Sequence, residues 1–124
     1  MIPKKMLIID SKEMKSYRDM FREFEGDLLI TYSERTRVMH IPSDYDIYLF
    51  NTADVDLDAI WKLKRESPEC KIYGVNGGCN REGKTLEHTI MLCMHAIYGC
   101  LSNELAELIY KESQKVDINT GEER

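Results

Sequence analysis

Apolar residues fall along this chain in two alternating rhythms. Five short runs are nearly continuous in apolar residues: "MLIID" (6–10), "DLLITYS" (27–33), "DIYLFNT" (46–52), "KIYGV" (71–75) and "AIYGCLS" (96–102). Runs of this kind predict strands covered on both faces. Between them, apolar residues recur every three or four positions, the period of a helix face. Met14, Tyr17, Phe21 and Phe24 make the first such face, with Ser11 as expected N-cap and Gly26 as expected C-cap. Val38, Met39 and Ile41 predict a short second helix in a more charged segment, stopped by Pro42. Leu57, Ile60, Trp61 and Lys64 make a third face, ended by Ser67-Pro68. Leu86, Ile90, Cys93, Met94 and Ile97 form the stripe of a helix from about Lys84 to Ala96. Leu105, Leu108 and Ile109 form the last, with Asn103 as expected N-cap.

Five alternations of strand and helix with short connections imply an α/β fold, a parallel sheet with helices on both faces. In such sheets, sites collect at the carboxyl ends of the strands. Those ends are Asp10-Ser11, Ser33, Asn51-Thr52, Asn76-Gly77 and Ser102-Asn103.

Composition narrows the partners. The 124 residues suit one domain, expected over 1–115, followed by a polar tail or linker over 116–124. The net charge of −5 argues against a nucleic-acid backbone or an anionic membrane as partner. No apolar run approaches the roughly 20 residues of a membrane span, and charge returns at Asp10, too early for a signal peptide. A cytoplasmic protein is expected. Cys70, Cys79, Cys93 and Cys100 form no paired metal spacing, so reduced thiols and no metal or cofactor are expected. Cys79, in a polar loop, is the candidate reactive thiol.

One motif speaks for a different chemistry. The stretch "GGCNREGKT" (77–85) fits the phosphate-cradling pattern G-x-x-x-x-G-K-[ST], through Gly78, Gly83, Lys84 and Thr85. It follows a strand and precedes a helix, so nucleotide or anion binding there is the alternative function. The surroundings argue against hydrolysis. No later strand ends in an acidic residue that would hold magnesium. The glycines are also explained by a turn ahead of the helix.

The strand ends carry a resemblance to a known family. "LIIDS", "DYDIYLFNT", "KRESPECKIYGV" and "YGCLSNEL" together resemble the receiver domain of two-component response regulators, over about residues 4–115. The resemblance implies a flavodoxin-like (βα)5 fold: a doubly wound, five-stranded parallel sheet in three α/β/α layers. Receivers end the first strand in two acids, the third in the phospho-acceptor aspartate, the fourth in Ser or Thr and the fifth in Lys-Pro. This chain has Asp10 and Ser11, Asn51, Asn76, and Ser102 or Asn103 at those places. An amide cannot form an aspartyl phosphate, and Asp10 alone is a poor magnesium site. Asp54, Asp56 and Asp58 follow too late in the chain and are expected at the next helix N-terminus.

The resemblance therefore implies a degenerate, phosphorylation-independent receiver. It is expected to be no enzyme and to act by protein–protein contact, for example as the regulatory domain of a longer transcriptional regulator. Receivers usually make output contacts through the fourth helix, fifth strand and fifth helix. Met91, His95, Tyr98 and Tyr110 are the candidate surface there, for a protein partner or for a homodimer.

Overall fold

The computed structural model describes residues 3–75, the backbone of 96–98, and residues 102–115. Strand β1 (Lys4–Ile9) leads to helix α1 (Met14–Phe21), which tightens into a 3-10 turn over Arg22–Phe24. Strands β2 (Leu28–Ser33) and β3 (Ile47–Asn51), helix α2 (Leu57–Glu66), strands β4 (Lys71–Val75) and β5 (Ala96–Tyr98) and helix α3 (Asn103–Ser113) follow. All four strand pairings are parallel, in the order β2-β1-β3-β4-β5. This is the parallel sheet expected from the alternation, in the doubly wound, flavodoxin-like order that the resemblance implies. The order reverses between β1 and β3, where the register sets Ile9 beside Phe50. The carboxyl ends of those two strands are thereby brought together at the switch point.

Alternating side chains of the central strands build a core on each face. On one side Met6, Ile8, Ile47, Leu49, Tyr73 and Val75 pack beneath Met14, Tyr17 and Phe21 of α1 and Leu105, Ala106 and Ile109 of α3. On the other, Leu7, Ile9, Tyr48, Phe50 and Ile72 pack beneath Ala59, Ile60 and Leu63 of α2. Cys70 fills the same side; burial pushes its thiol above the usual range and keeps it a packing residue.

The connection from β2 to β3 departs from the periodicity reading. No helix forms over 34–46. Val38 instead makes a parallel bridge to Val55: its N–H donates to the Asp54 carbonyl at 2.9 Å, and its carbonyl accepts from the Asp56 N–H at 2.8 Å. Val38 and Ile41 are buried, Met39 is 76% exposed, and Arg37 sits at φ 54. A helix before Pro42 would have been short and costly to nucleate, with β-branched residues in it. The extended path bonds both backbone groups of Val38 and still buries the Val38 and Ile41 side chains. The Tyr48 hydroxyl fastens its far end by donating to the Pro42 carbonyl at 2.6 Å.

Smaller differences concern helix ends and faces. The residue before α1 is Glu13, not Ser11, and it makes no side-chain cap bond. Gly26 lies beyond the 3-10 turn and is not a left-handed cap. Ser102, not Asn103, caps α3. In α3 Ala106 takes the buried position expected of Leu108, which is 39% exposed. The helix expected over Lys84–Ala96 and the tail 116–124 lie outside the described residues.

Candidate functional site

Asp10 follows the last residue of β1, and its N–H extends the ladder by donating to the Ser33 carbonyl at 3.2 Å. Its carboxylate is only 1% exposed, so burial must be offset by hydrogen bonds. Three donors supply them. Oδ2 accepts from the Tyr17 hydroxyl at 2.8 Å and from Asn51 Nδ2 at 3.2 Å. Oδ1 accepts from the Lys12 N–H at 2.9 Å. Tyr17 is positioned by the inner face of α1, and burial, then the bond to Asp10, holds its hydroxyl well above the usual phenol range.

Asn51 closes β3 and sits half-buried beside Asp10. Its Oδ1 accepts from the Ala53 N–H at 3.0 Å. The two contacts assign the amide: the donor faces the carboxylate and the acceptor faces a backbone N–H. A second carboxylate, Asp54, is 5% exposed. Its Oδ2 accepts from the Ser11 N–H at 2.8 Å, while its own N–H donates to the Asn51 carbonyl at 2.9 Å. Asp54 thus ties the loop after β1 to the loop after β3. It does not serve the N-terminus of α2, contrary to the sequence expectation. Asp56 stands just before α2 without a side-chain cap bond, and Asp58 lies exposed in its first turn.

Asp10 and Asn51 therefore meet directly, and Ser11 is tied to the same region through Asp54, which accepts from its N–H. Ser102 Oγ is occupied at α3, accepting from the Leu105 N–H at 3.2 Å, and Asn103 is exposed in the first turn. No bond among the described residues joins either to Asp10 or Asn51. Asn76, Met91, His95, Cys79 and the motif residues Gly78, Gly83, Lys84 and Thr85 lie outside the described residues, as does the side chain of Tyr98. Tyr110 is engaged within the chain: its ring stacks on Phe24 at 4.4 Å, and its hydroxyl donates to Asp27 Oδ2 at 2.8 Å.

The periodicity reading took Tyr17 only as a core residue. The available signal was a phenol on a helix's buried face seven residues past a strand-end acid, since a buried tyrosine hydroxyl needs a partner. Asp54 carried no comparable signal, because its bond to Ser11 spans two separate loops.

The donor set does not suit the magnesium ion that a receiver would hold. That cation needs several oxygen ligands with free lone pairs. Here three hydrogens point at the Asp10 carboxylate, and Asn51 presents its N–H to the same place. Among the described residues no three His, Cys, Asp or Glu side chains gather as a metal cluster. The described site offers a buried carboxylate with three internal donors, a neutral amide and a second buried acid that braces two loops.

No protein-family model matches the chain, and no curated protein does. Solved structures do. A crystal structure described as that of a pilus assembly protein (cpaE) from Burkholderia thailandensis E264 is 16% identical with a TM-score of 0.66, over 89% of this chain and 97% of the other. A CheY-like response-regulator receiver domain from Methanospirillum hungatei is 17% identical with a TM-score of 0.65, over 90% and 94%. The response regulator TrrA from Thermotoga maritima, in complex with Mg2+-BeF, is 14% identical with a TM-score of 0.55, over 87% and 97%. At these identities the likeness is one of architecture, and the chain has the flavodoxin-like α/β fold of response-regulator receiver domains.

Proposed function

We propose that this chain is a receiver-like regulatory domain that acts by contact with another protein and accepts no phosphoryl group. The observation that carries the reading is the closed triad of Asp10, Tyr17 and Asn51. Phosphotransfer to a receiver needs a carboxylate nucleophile at the end of β3 and a bound cation beside it. Asn51 supplies an amide whose nitrogen lone pair is delocalised and whose oxygen is engaged by Ala53. Asp10 is occupied by internal donors, one of them the Tyr17 hydroxyl. The degenerate pocket, in this reading, centres on Asp10, Ser11 and Asn51.

Incubation with acetyl phosphate and Mg2+, followed by intact mass measurement, tests this directly. The unmodified mass is the expected result. A phosphoryl adduct abolished by Asp10→Asn or Asp54→Asn would overturn the proposal.

A further inference from the structure

Strand β2 is an edge of the sheet. Its register with β1, fixed by the Asp10 N–H bonding the Ser33 carbonyl, turns the backbone groups of Leu29, Thr31 and Ser33 inward. The N–H and C=O groups of Leu28, Ile30 and Tyr32 then point outward, and no strand pairs with them among the described residues. Exposed edges are normally blunted by charge, proline or a bulge. The strand reads LLITYS and carries none of these. Leu29 is 52% exposed and Thr31 is exposed on one face of it. Such an edge is a template for another strand.

The charges flanking β2 select the occupant. Asp27 precedes the strand and Arg35 follows it, and Arg35 makes no ion pair among the described residues. In an antiparallel pair of two copies with the two-fold axis at Thr31, Ile30 of each copy meets Tyr32 of the other with all outward groups bonded. Leu29 then meets Ser33, Glu34 meets the apolar Leu28, and Asp27 meets Arg35 on both sides of the axis. A parallel pairing would set like charges together.

We propose that the chain self-associates through antiparallel β2–β2 pairing, giving a two-fold dimer with one sheet running through both copies. The surface differs from the fourth helix, fifth strand and fifth helix, and the inference does not rest on how the Asp10 site is read. A six-residue edge falls short of the roughly 1,200–2,000 Å2 of a stable interface, so the dimer is weak, with a dissociation constant in the roughly micromolar range or above.

Sedimentation equilibrium of the full chain, from micromolar to millimolar concentration, tests it. The wild type is expected to dimerise. Ile30→Pro removes an outward N–H without breaking a bond to β1, and weakens association at least about tenfold. Arg35→Asp and Asp27→Arg each weaken it about tenfold. An equimolar mixture of those two variants restores it, because each copy then meets the opposite charge. Asp27 also accepts from Tyr110, so circular dichroism must first show both variants folded. A wild type that stays monomeric, association indifferent to Ile30→Pro, or a mixture no tighter than its parts overturns the proposal. Capture of an added strand-forming peptide by a monomeric wild type would do so as well.

Discussion

The Asp10 carboxylate costs free energy to bury and is held by only three donors, so each donor is consequential. Tyr17→Phe keeps the ring in the core and deletes one of them. It is expected to lower unfolding free energy by about 1–3 kcal/mol, read from urea denaturation with an unchanged slope. Asn51→Asp is the substitution that restores the residue type of a phospho-acceptor. Here it sets a second carboxylate against a buried one, in place of a donor. The variant is expected to lose about 1–3 kcal/mol near neutral pH and to recover part of it on acidification, as the pair takes up a proton. Unfolding curves at a series of pH values check the sign. Asp10 and Asn51 were visible as strand-end residues in the sequence. The partner that closes the triad was not, because Tyr17 is spaced like any other core residue of an amphipathic helix.

The connection between β2 and β3 shows what element-level reading can miss. Three apolar residues within four positions fit one face of a helix, yet Val38 spends its backbone bonds on Val55, a partner 17 residues away. Periodicity counts local spacing and contains no term for such a bridge. The side chains of Val38 and Ile41 still do what the pattern required of them, covering the sheet beside α2. Ile41→Ala should therefore cost about 2–5 kcal/mol, as for a buried helix residue, while truncation of the exposed Met39 should be near neutral. The start of α3 was misplaced by one residue because "SN" offers two good caps in succession. Ser102 takes the role by bonding the Leu105 N–H, so Ser102→Ala should cost about 1 kcal/mol and Asn103→Ala less, in the same denaturation assay.

Across the whole molecule, buried and half-buried tyrosines link stability to alkaline pH. Tyr48 is pushed up to about 12 by burial, and Tyr17 and Tyr32 are raised further, by burial and by bonds to Asp10 and Glu25. The folded state thus favours the neutral phenol. That stabilisation is complete below the ordinary phenol value of about 10 and is lost as pH rises through the folded values. Thermal melts should hold steady below pH of about 10 and fall above it. Tyr17→Phe, less stable to begin with, should fall less steeply, because one titrating hydroxyl is gone. A melting temperature flat to pH of about 12 would contradict the assignment.

The sequence by itself determined the layering. Near-continuous apolar strands alternating with amphipathic helices leave few ways to bury both kinds of surface, and the parallel three-layer sheet is the economical one. It also determined that a neutral amide ends β3. The tertiary structure alone decided what that amide does. Asp10, Tyr17 and Asn51 lie on β1, α1 and β3, and Asp54 and Ser11 on two different loops. They converge because the strand order reverses between β1 and β3, a pairing that no local pattern encodes. The outward side of β2 is likewise a property of strand order: the backbone groups of Leu28, Ile30 and Tyr32 would be paired if another strand lay beside them.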